Sequence, residues 1–311
     1  MSNLENDLMT SLEDLNIKYI NLLNSKEVRI GKNLLSIKES LINIRLSNIL
    51  TLIRKKYYQK KINKKFNFIA PEQNLTTSQR LKNIKHEKID GKVAVYTCIT
   101  GGYDEISEPI FNNYEYDFYI FSEKKIKSKV RIYKSIPNEV KALNNNTLIN
   151  RYIKMHPFDF FHDYDYAVYI DGNVCIASDI SSLIKVSQQG KTGFAMHKHV
   201  LRDCIYDEAE ICKMYGKGNS IKLDDETKRY KKDGFPQNYG MLEATIIIFD
   251  LKSKICKKIM DNWRKEFIIS ESYRDQIALP YVLWKNGYSM SDVGNLGNNL
   301  YRNPKFHIQS H

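Results

Sequence analysis

The chain has 311 residues, of which 42% are hydrophobic, so it can bury the core of one large domain and still carry an additional segment. No apolar run is long enough to span a bilayer, and the acidic, polar start MSNLENDLMT is not a signal peptide. The net charge of +12 suits nucleic acid, acidic lipid or phosphorylated ligands, but a chain rich in Lys, Asn and Ile can also owe this charge to coding composition.

The cysteines are scattered, odd in number and without CxxC spacing, which favours reduced thiols in a cytoplasmic setting over a disulfide framework or a zinc site. They are Cys98, Cys175, Cys204, Cys212 and Cys256.

Residues 1–65 are predicted to form an N-terminal helical and basic region. Apolar residues recur at spacings of four and three on either side of Gly31, which predicts two helices in a hairpin. They are Leu4, Leu8, Leu12, Leu15 and Tyr19, then Leu34, Ile37, Leu41 and Ile44. This hairpin either packs on the main domain or forms a coiled coil or homo-oligomer contact.

The basic block RKKYYQKKINKK, residues 54–65, follows an apolar stripe at the end of this region. A basic amphipathic helix with aromatic residues can lie on an anionic membrane surface, although a solvated helix end explains the block equally well. Nucleic acid is not an expected partner, because no nucleic-acid-binding module surrounds the block. Residues 66–91 are polar and aperiodic and are interpreted as a linker.

Residues 92–311 alternate β-rich runs with helical runs, which is typical of an α/β domain. Strands are predicted at Val93–Cys98, Asp117–Phe121, Tyr164–Ile170, Thr192–Met196 and Ala244–Asp250, and helices around 139–155, 203–214, 253–268 and 272–286.

Two segments of this domain are candidates for phosphate binding. The first strand ends in Thr100-Gly101-Gly102-Tyr103-Asp104, where glycines allow close approach of a ligand, although a plain turn explains the motif as well. Arg151 and Lys154 lie three residues apart near the end of a predicted helix, where they can favour the helix dipole or bind phosphate.

The stretch YIDGN, residues 169–173, supports two interpretations. Asp-Gly between apolar runs is a signal for a tight hairpin turn. The same strand delivers Asp171 to the carboxyl edge of the sheet, where Asp171 and Asn173 offer a carboxylate and an amide oxygen to a magnesium-type ion. A turn that presents both oxygens satisfies both interpretations.

Further candidates follow later strands. Residues 197–209 combine histidines, an arginine and carboxylates, and His199 and Arg202 are taken from this crowded segment as site residues. Glu243 stands at the start of the apolar strand ATIIIFD, and Asp275 lies at the head of a helix, where the dipole alone could favour it.

The order of the motifs resembles one family. YTCITGGYD, NRYIK, YIDGN, HVLRDCIYDEAE, YGMLEATIIIFD and YRDQIALPYVLWKNG resemble, in that order, the glycosyltransferase-like domain shared by plant proteins linked to mucilage and turgor and by bacterial polysaccharide-cluster proteins. The resemblance covers roughly residues 92–311.

The resemblance implies a GT-A-like fold, a nucleotide-binding α/β sandwich with a mixed, mostly parallel sheet, here preceded by the N-terminal helical hairpin. In such folds a DxD motif binds a divalent ion, Mn²⁺ or Mg²⁺, and the diphosphate of a sugar nucleotide. Asp171-Gly172-Asn173 stands at that place, and the amide in the second position weakens ion binding or requires another ligand. By analogy with glycogenin-like relatives, that ligand is His307 or His311.

The resemblance also implies a metal-dependent glycosyltransferase. Its donor is expected to be a nucleotide-diphosphate sugar, with a UDP-sugar favoured, and its acceptor a glycan or lipid-linked glycan. The reaction is expected to belong to the synthesis of capsule or another surface polysaccharide. The enzyme is expected to be cytoplasmic or peripheral on the inner face of the bacterial plasma membrane. The nucleotide sugar is expected to bind Thr100, Gly101, Gly102, Tyr103, Asp104, Arg151, Lys154, Asp171 and Gly172. Glu243, Asp275, His199 and Arg202 are expected to act on the sugar or the acceptor. A hydrolase on the same scaffold and a non-catalytic binding protein are the alternatives.

Overall fold

The computed structural model describes residues 3–28, 30–32, 34–35, 88–102, 106–110 and 115–309. The helices are α1 Asn3–Leu23, α2 Asn138–Lys141, α3 Asn146–Met155, α4 Ser181–Val186, α5 Ile205–Met214, α6 Ser220–Lys232, α7 Lys254–Ser270 and α8 Asp275–Lys285. The strands are β1 Val93–Ile99, β2 Tyr116–Ser122, β3 Ile132–Ser135, β4 Tyr166–Ile170, β5 Val174–Ile176, β6 Phe194–Lys198, β7 Leu242–Asp250, β8 Gly294–Asn295 and β9 Phe306–Ile308. Short 3-10 turns lie at Pro157–Asp159, Met290–Asp292 and Leu300–Arg302.

The main sheet has seven strands within the described residues, in the order β3-β2-β1-β4-β7-β6-β8. The pairs are parallel except for those that β7 makes with β4 and β6. This mixed, mostly parallel sheet confirms the predicted α/β class and has the architecture expected of a GT-A-like domain.

The sheet is buried on both faces because its central strands are mostly apolar. Along β1, Ala94, Tyr96 and Cys98 enter the cluster beneath α3, α7 and α8, while Val93 and Val95 enter the cluster on the other face. Alternate residues of a strand point to opposite faces, so a strand that is buried along its whole length, as β1 is, is covered on both sides.

The predicted helix over 139–155 is two helices in the structure. Asn144 adopts a left-handed backbone with φ of +47°, and the Asn145 side chain then accepts hydrogen bonds from Thr147 N and Leu148 N to cap α3. Asparagine suits both roles, so the run of three asparagines ends one helix and starts the next.

The N-terminal helix α1 packs on the C-terminal part of the main domain. Glu13 Oε1 accepts a hydrogen bond from Lys305 Nζ at 2.7 Å, and Asn16 Nδ2 donates to Pro304 O at 2.6 Å. Of the hairpin partner, only residues up to 35 are described, and the basic block 54–65 and the linker up to residue 87 lie outside the described residues. None of the helices in the described ranges is both long and apolar enough to cross a membrane.

Candidate active site

A cavity of about 400 Å³ opens at the edge of the sheet where β1 and β4 end and β7 begins. Asp171 N, just after β4, donates to Thr245 O of β7 at 3.0 Å, so the two strands close this edge together. The lining residues include Arg151, Lys154, Asp171, Gly172, Asn173, His199, Arg202, Glu208, Lys217, Glu243, Arg274, Asp275, Gln276 and Tyr301. The cavity therefore unites predicted residues from five separate sequence segments.

Helix α3 supplies two cations to the cavity. Ile149 and Ile153 bury the opposite part of the helix in the core, which directs Arg151 and Lys154 towards α8. Arg151 Nε lies 2.9 Å and Lys154 Nζ 3.0 Å from the same oxygen, Oδ2 of Asp275. Arg151 and Lys154 thus form an ion-pair cluster with a buried carboxylate. The helix dipole of α3 alone does not account for their position.

Asp275 is held in its charged form by these neighbours. Burial by itself would raise the pKa of Asp275, but the positive charges of Arg151 and Lys154 outweigh it and keep the pKa below its usual range. A fully paired, ionised carboxylate is a poor proton acceptor. The geometry therefore makes Asp275 an organiser of the two cations and favours Glu243 as the catalytic carboxylate.

Asp171 occupies a turn between β4 and β5. Val174 N donates to Asp171 O at 3.0 Å, which closes the turn, but β5 pairs with β9 rather than with β4. The hairpin interpretation is therefore wrong, because the chain leaves the main sheet after the turn. Tyr169 OH donates to Asp171 Oδ1 at 2.8 Å, and Lys154 Nζ lies 3.9 Å from the same oxygen.

The C-terminal strand secures the second residue of the predicted metal motif. Asn173 Nδ2 donates to Gln309 O at 3.0 Å, and Gln309 N donates to Asn173 O at 2.9 Å. These two bonds continue the β5–β9 ladder to the cavity rim, so Asn173 is fixed by residues that lie at the far end of the chain.

Glu243 is buried at the start of β7. Its Oε1 accepts hydrogen bonds from Thr245 Oγ1 at 3.0 Å and from Gln276 Nε2 at 2.5 Å. Burial raises the pKa of Glu243 above its ordinary value, with the negative charge of Asp171 as a further cause. A raised pKa makes a carboxylate a stronger proton acceptor, which suits a general base.

Arg274 and Gln276 are cavity residues that the sequence reasoning missed. They flank Asp275, and each of the three successive side chains has a different partner. Arg274 lies 3.7 Å from Glu208, and Gln276 donates to Glu243. Asp275 between them pairs with the α3 cations. The adjacency of three functional groups in YRDQ was the available signal.

His199 and Arg202 both line the cavity, as predicted. His199 Nδ1 accepts hydrogen bonds from Leu201 N at 3.3 Å and Arg202 N at 3.1 Å. Burial lowers the pKa of His199 to about 4, so the ring is neutral at pH 7 and carries its proton on Nε2. Arg202 Nε donates to Glu208, a residue that the sequence reasoning did not select.

A second cavity of about 510 Å³ adjoins the first and contains part of the β1 loop. Thr100 and Gly101 line it, together with Asn146 and Tyr273, and Arg151 and Arg274 border both cavities. Position 101 favours glycine because its φ is +64° and a Cβ there would clash with Asn146 Nδ2. The Gly101 N–H donates to the Glu123 carboxylate at 3.0 Å. Gly102 follows with φ of +63°, and Tyr103 and Asp104 lie outside the described residues.

The late histidines do not join Asp171 in the part of the chain that is described. His307 lies on β9 and does not line the cavity. Its ring contacts that of Tyr19 of α1 in a tilted arrangement, with centroids 5.1 Å apart. His311 lies outside the described residues. Among the described residues, no three His, Cys, Asp or Glu side chains form a group that could hold a metal ion by themselves.

Comparison with known proteins gives one family match. A model of the TOD1/MUCI70 glycosyltransferase-like domain matches residues 49–293, so the match begins earlier and ends earlier than the extent expected from the motifs. No curated protein sequence matches the chain.

Two solved structures are similar to the chain at low identity. One is the bifunctional glycosyltransferase WbbM in its apo form, with a TM-score of 0.42 and 16% sequence identity. The match covers 68% of this chain and 40% of the WbbM chain. The galactosyltransferase LgtC in complex with donor and acceptor sugar analogs has a TM-score of 0.36 and 12% identity over 61% of this chain and 70% of LgtC.

Proposed function

Because the chain belongs to the TOD1/MUCI70 glycosyltransferase-like family, we propose that it transfers a sugar from a nucleotide-diphosphate sugar to a glycan or lipid-linked glycan acceptor. A UDP-sugar is the favoured donor, and bacterial capsule or other surface polysaccharide is the proposed product. The observation that supports this proposal is the cavity itself, which combines paired cations, the Asp171 turn and a buried carboxylate of raised pKa.

The two adjoining cavities suit the parts of such a donor. The cavity beside Thr100 and Gly101 has room for a nucleoside, and the one beside Glu243 has room for the sugar. The diphosphate then lies between them, at Arg151 and Arg274. Arg and Lys side chains stabilise the negative charge that develops on a leaving diphosphate.

We propose that a divalent ion, Mn²⁺ or Mg²⁺, binds at Asp171 together with Asn173. This donor set suits an ion of the magnesium type, which is commonly held by one or two carboxylates with substrate phosphates. Because no three His, Cys, Asp or Glu side chains among the described residues form a metal group, the ion would also need oxygen ligands from substrate phosphates or water. When bound, the ion neutralises charge on the diphosphate.

The protein side chains then have separate tasks. Arg151 and Lys154 bind phosphate while Asp275 holds them in place. Glu243 accepts the proton of the attacking hydroxyl if the reaction inverts the anomeric centre, and its hydrogen bond from Gln276 orients the carboxylate for this. Neutral His199 offers an N–H to a sugar hydroxyl.

The test is a thermal-shift panel of UDP, GDP, CDP and ADP with Mn²⁺, Mg²⁺ or chelator, on the native protein and on Asp171→Asn. A nucleotide at about 100 times its dissociation constant stabilises the native state by about 2.7 kcal/mol, a shift of several degrees. We expect one nucleotide to stabilise the native protein only with metal, and Asp171→Asn to remove that stabilisation.

Other results of these binding measurements would contradict different parts of the proposal. Equal stabilisation in chelator overturns metal dependence and leaves a transferase that relies on its cations. No shift with any nucleotide overturns donor binding. Product release from a nucleotide sugar without any acceptor, at rates far above slow leakage, would favour a hydrolase.

We also propose that the basic block 54–65 binds the inner face of the plasma membrane. Its Lys and Arg residues suit anionic lipid. Because α1 packs on the main domain, substitution of the block by Gln is a cleaner test than deletion of residues 1–65. Unchanged binding to vesicles that contain anionic lipid would contradict this proposal.

A further inference from the structure

Glu208 is a buried carboxylate on the inner face of α5. It is 4% exposed and shares this face with Ile205, Ala209 and Cys212, which belong to the apolar cluster between α5, α6 and α8. Transfer of an ionised carboxylate out of water is costly unless it is paired and hydrogen-bonded. The partners of Glu208 therefore determine what it does.

The charged partners of Glu208 are two arginines from different segments of the chain, and Cys212 Sγ also donates to its Oε1 at 3.3 Å. Arg202 Nε donates to Oε2 of Glu208, and Arg274 Nη2 lies 3.7 Å from Oε1. Arg202 precedes α5 in the chain, whereas Arg274 is the residue before α8. Both arginines and Glu208 line the cavity of the candidate active site, and Glu208 is almost fully buried there.

This arrangement leaves positive charge directed at the cavity. One carboxylate between two guanidinium groups leaves a net charge of +1, and Arg274 also donates to Gln276 Oε1 at 3.4 Å, which orients its planar group. A guanidinium group recognises phosphate through paired N–H groups, so its orientation decides how well it binds.

We propose that Glu208 is a positioning residue that holds Arg202 and Arg274 in the orientation that binds the diphosphate of the donor. This inference rests on the proposed function, because it requires a phosphate-bearing ligand in the cavity. It adds a residue that acts through the two guanidinium groups.

The experiment compares a nucleoside diphosphate with its own nucleoside, which lacks the phosphates. Titration calorimetry measures both dissociation constants for the native protein, Glu208→Gln and Glu210→Gln, with the nucleotide among UDP, GDP, CDP and ADP that binds best. Glu210 is the matched control, because it lies on the same helix, pairs with Lys213 and does not line the cavity. Circular dichroism at the temperature of the titration verifies that each variant is folded.

We expect Glu208→Gln to raise the dissociation constant of the nucleoside diphosphate about tenfold, the usual scale of one charge-assisted hydrogen bond, and that of the nucleoside less than about twofold. Glu210→Gln should change neither. A merely structural role would lower the melting temperature of Glu208→Gln and leave the ratio of the two dissociation constants unchanged, which would overturn the proposal.

Glu208→Asp keeps the test decisive if Glu208→Gln does not fold. Aspartate retains the buried charge but withdraws it from the guanidinium groups, so the diphosphate should still bind more weakly while the nucleoside does not. An unchanged diphosphate affinity in this variant also overturns the proposal. If the native protein binds no nucleoside diphosphate, the proposed function itself is overturned. If the native protein and the variant bind it equally well, only the role of Glu208 is overturned.

Discussion

At the scale of single residues, Asp275 is the side chain on which the cationic part of the cavity depends. It is 3% exposed and pairs with both Arg151 and Lys154. We expect Asp275→Asn to lower the free energy of unfolding by about 3–5 kcal/mol, because it leaves two buried cations short of a partner. Chemical denaturation of the native protein and the variant measures this difference.

Asp225→Asn is the control for that change. Asp225 is exposed on α6, and an exposed carboxylate should contribute less than about 0.5 kcal/mol. Equal stability of Asp275→Asn and the native protein would show that Asp171, 3.9 Å from Lys154, is a sufficient partner for the cations.

The sequence predicted which segments meet at the cavity more reliably than it predicted what each residue does there. Arg151, Asp171 and Glu243 were selectable because each ends or begins an element at one edge of the sheet. Glu208 was not, since a carboxylate in the first turn of a helix is also explained by the dipole. Its role depends on Arg274, which is distant in sequence.

At the scale of elements, α1 contributes to the stability of the main domain through Glu13. Lys305 is 4% exposed and donates to Glu13 Oε1 and to Asp179 O, both at 2.7 Å. We expect Glu13→Gln to lower the melting temperature by several degrees, because it leaves the Lys305 ammonium buried without its counter-charge. Differential scanning calorimetry measures the shift.

The neighbouring residue gives a matched control on the same helix. Asp14 is exposed, so Asp14→Asn should change the melting temperature by less than about one degree. Similar melting temperatures for Glu13→Gln and Asp14→Asn would mean that α1 is not held on the domain by this ion pair.

Helix α6 shows why some elements were not predicted. Within Ser220–Lys232 only Leu223, Glu226 and Tyr230 are buried, so no broad apolar stripe marks the helix. The helix is defined by tertiary contacts and by the cap at Asn219, whose side chain accepts from Ile221 N and Lys222 N. Strands β5 and β9 were not predicted either, because each is short and its pairing partner is more than 130 residues away in the sequence.

At the scale of the whole molecule, the α/β class followed from the alternation of strands and helices, and the central strands β1, β2, β4 and β7 were correctly located. Strands β1 and β4 are buried on both faces, so a mostly apolar run replaces the period-two signal there. The strand order could not be predicted in this way, because apolar runs do not specify their neighbours. The reversed direction of β7 is what brings Glu243 to the edge where β4 presents Asp171.

Global stability should depend on pH through Glu226, which is 2% exposed on α6 and accepts a hydrogen bond from Tyr230 OH at 2.7 Å. Burial raises the pKa of Glu226 from 4.5 to about 7. Folding therefore favours the protonated form, and this contribution is complete below pH 4.5 and is lost as the pH rises to 7 and above.

Glu226→Gln isolates this effect, because glutamine stays neutral and can still accept from Tyr230. We expect the variant to match the native protein at about pH 4 and to exceed its free energy of unfolding at pH 8.5 by up to about 3 kcal/mol, since one pKa unit corresponds to about 1.4 kcal/mol. Urea denaturation at both pH values measures the difference. If the variant is instead less stable than the native protein at pH 8.5, the ionised Glu226 is stabilised in the folded state, where the positive charge of Arg229 acts on it.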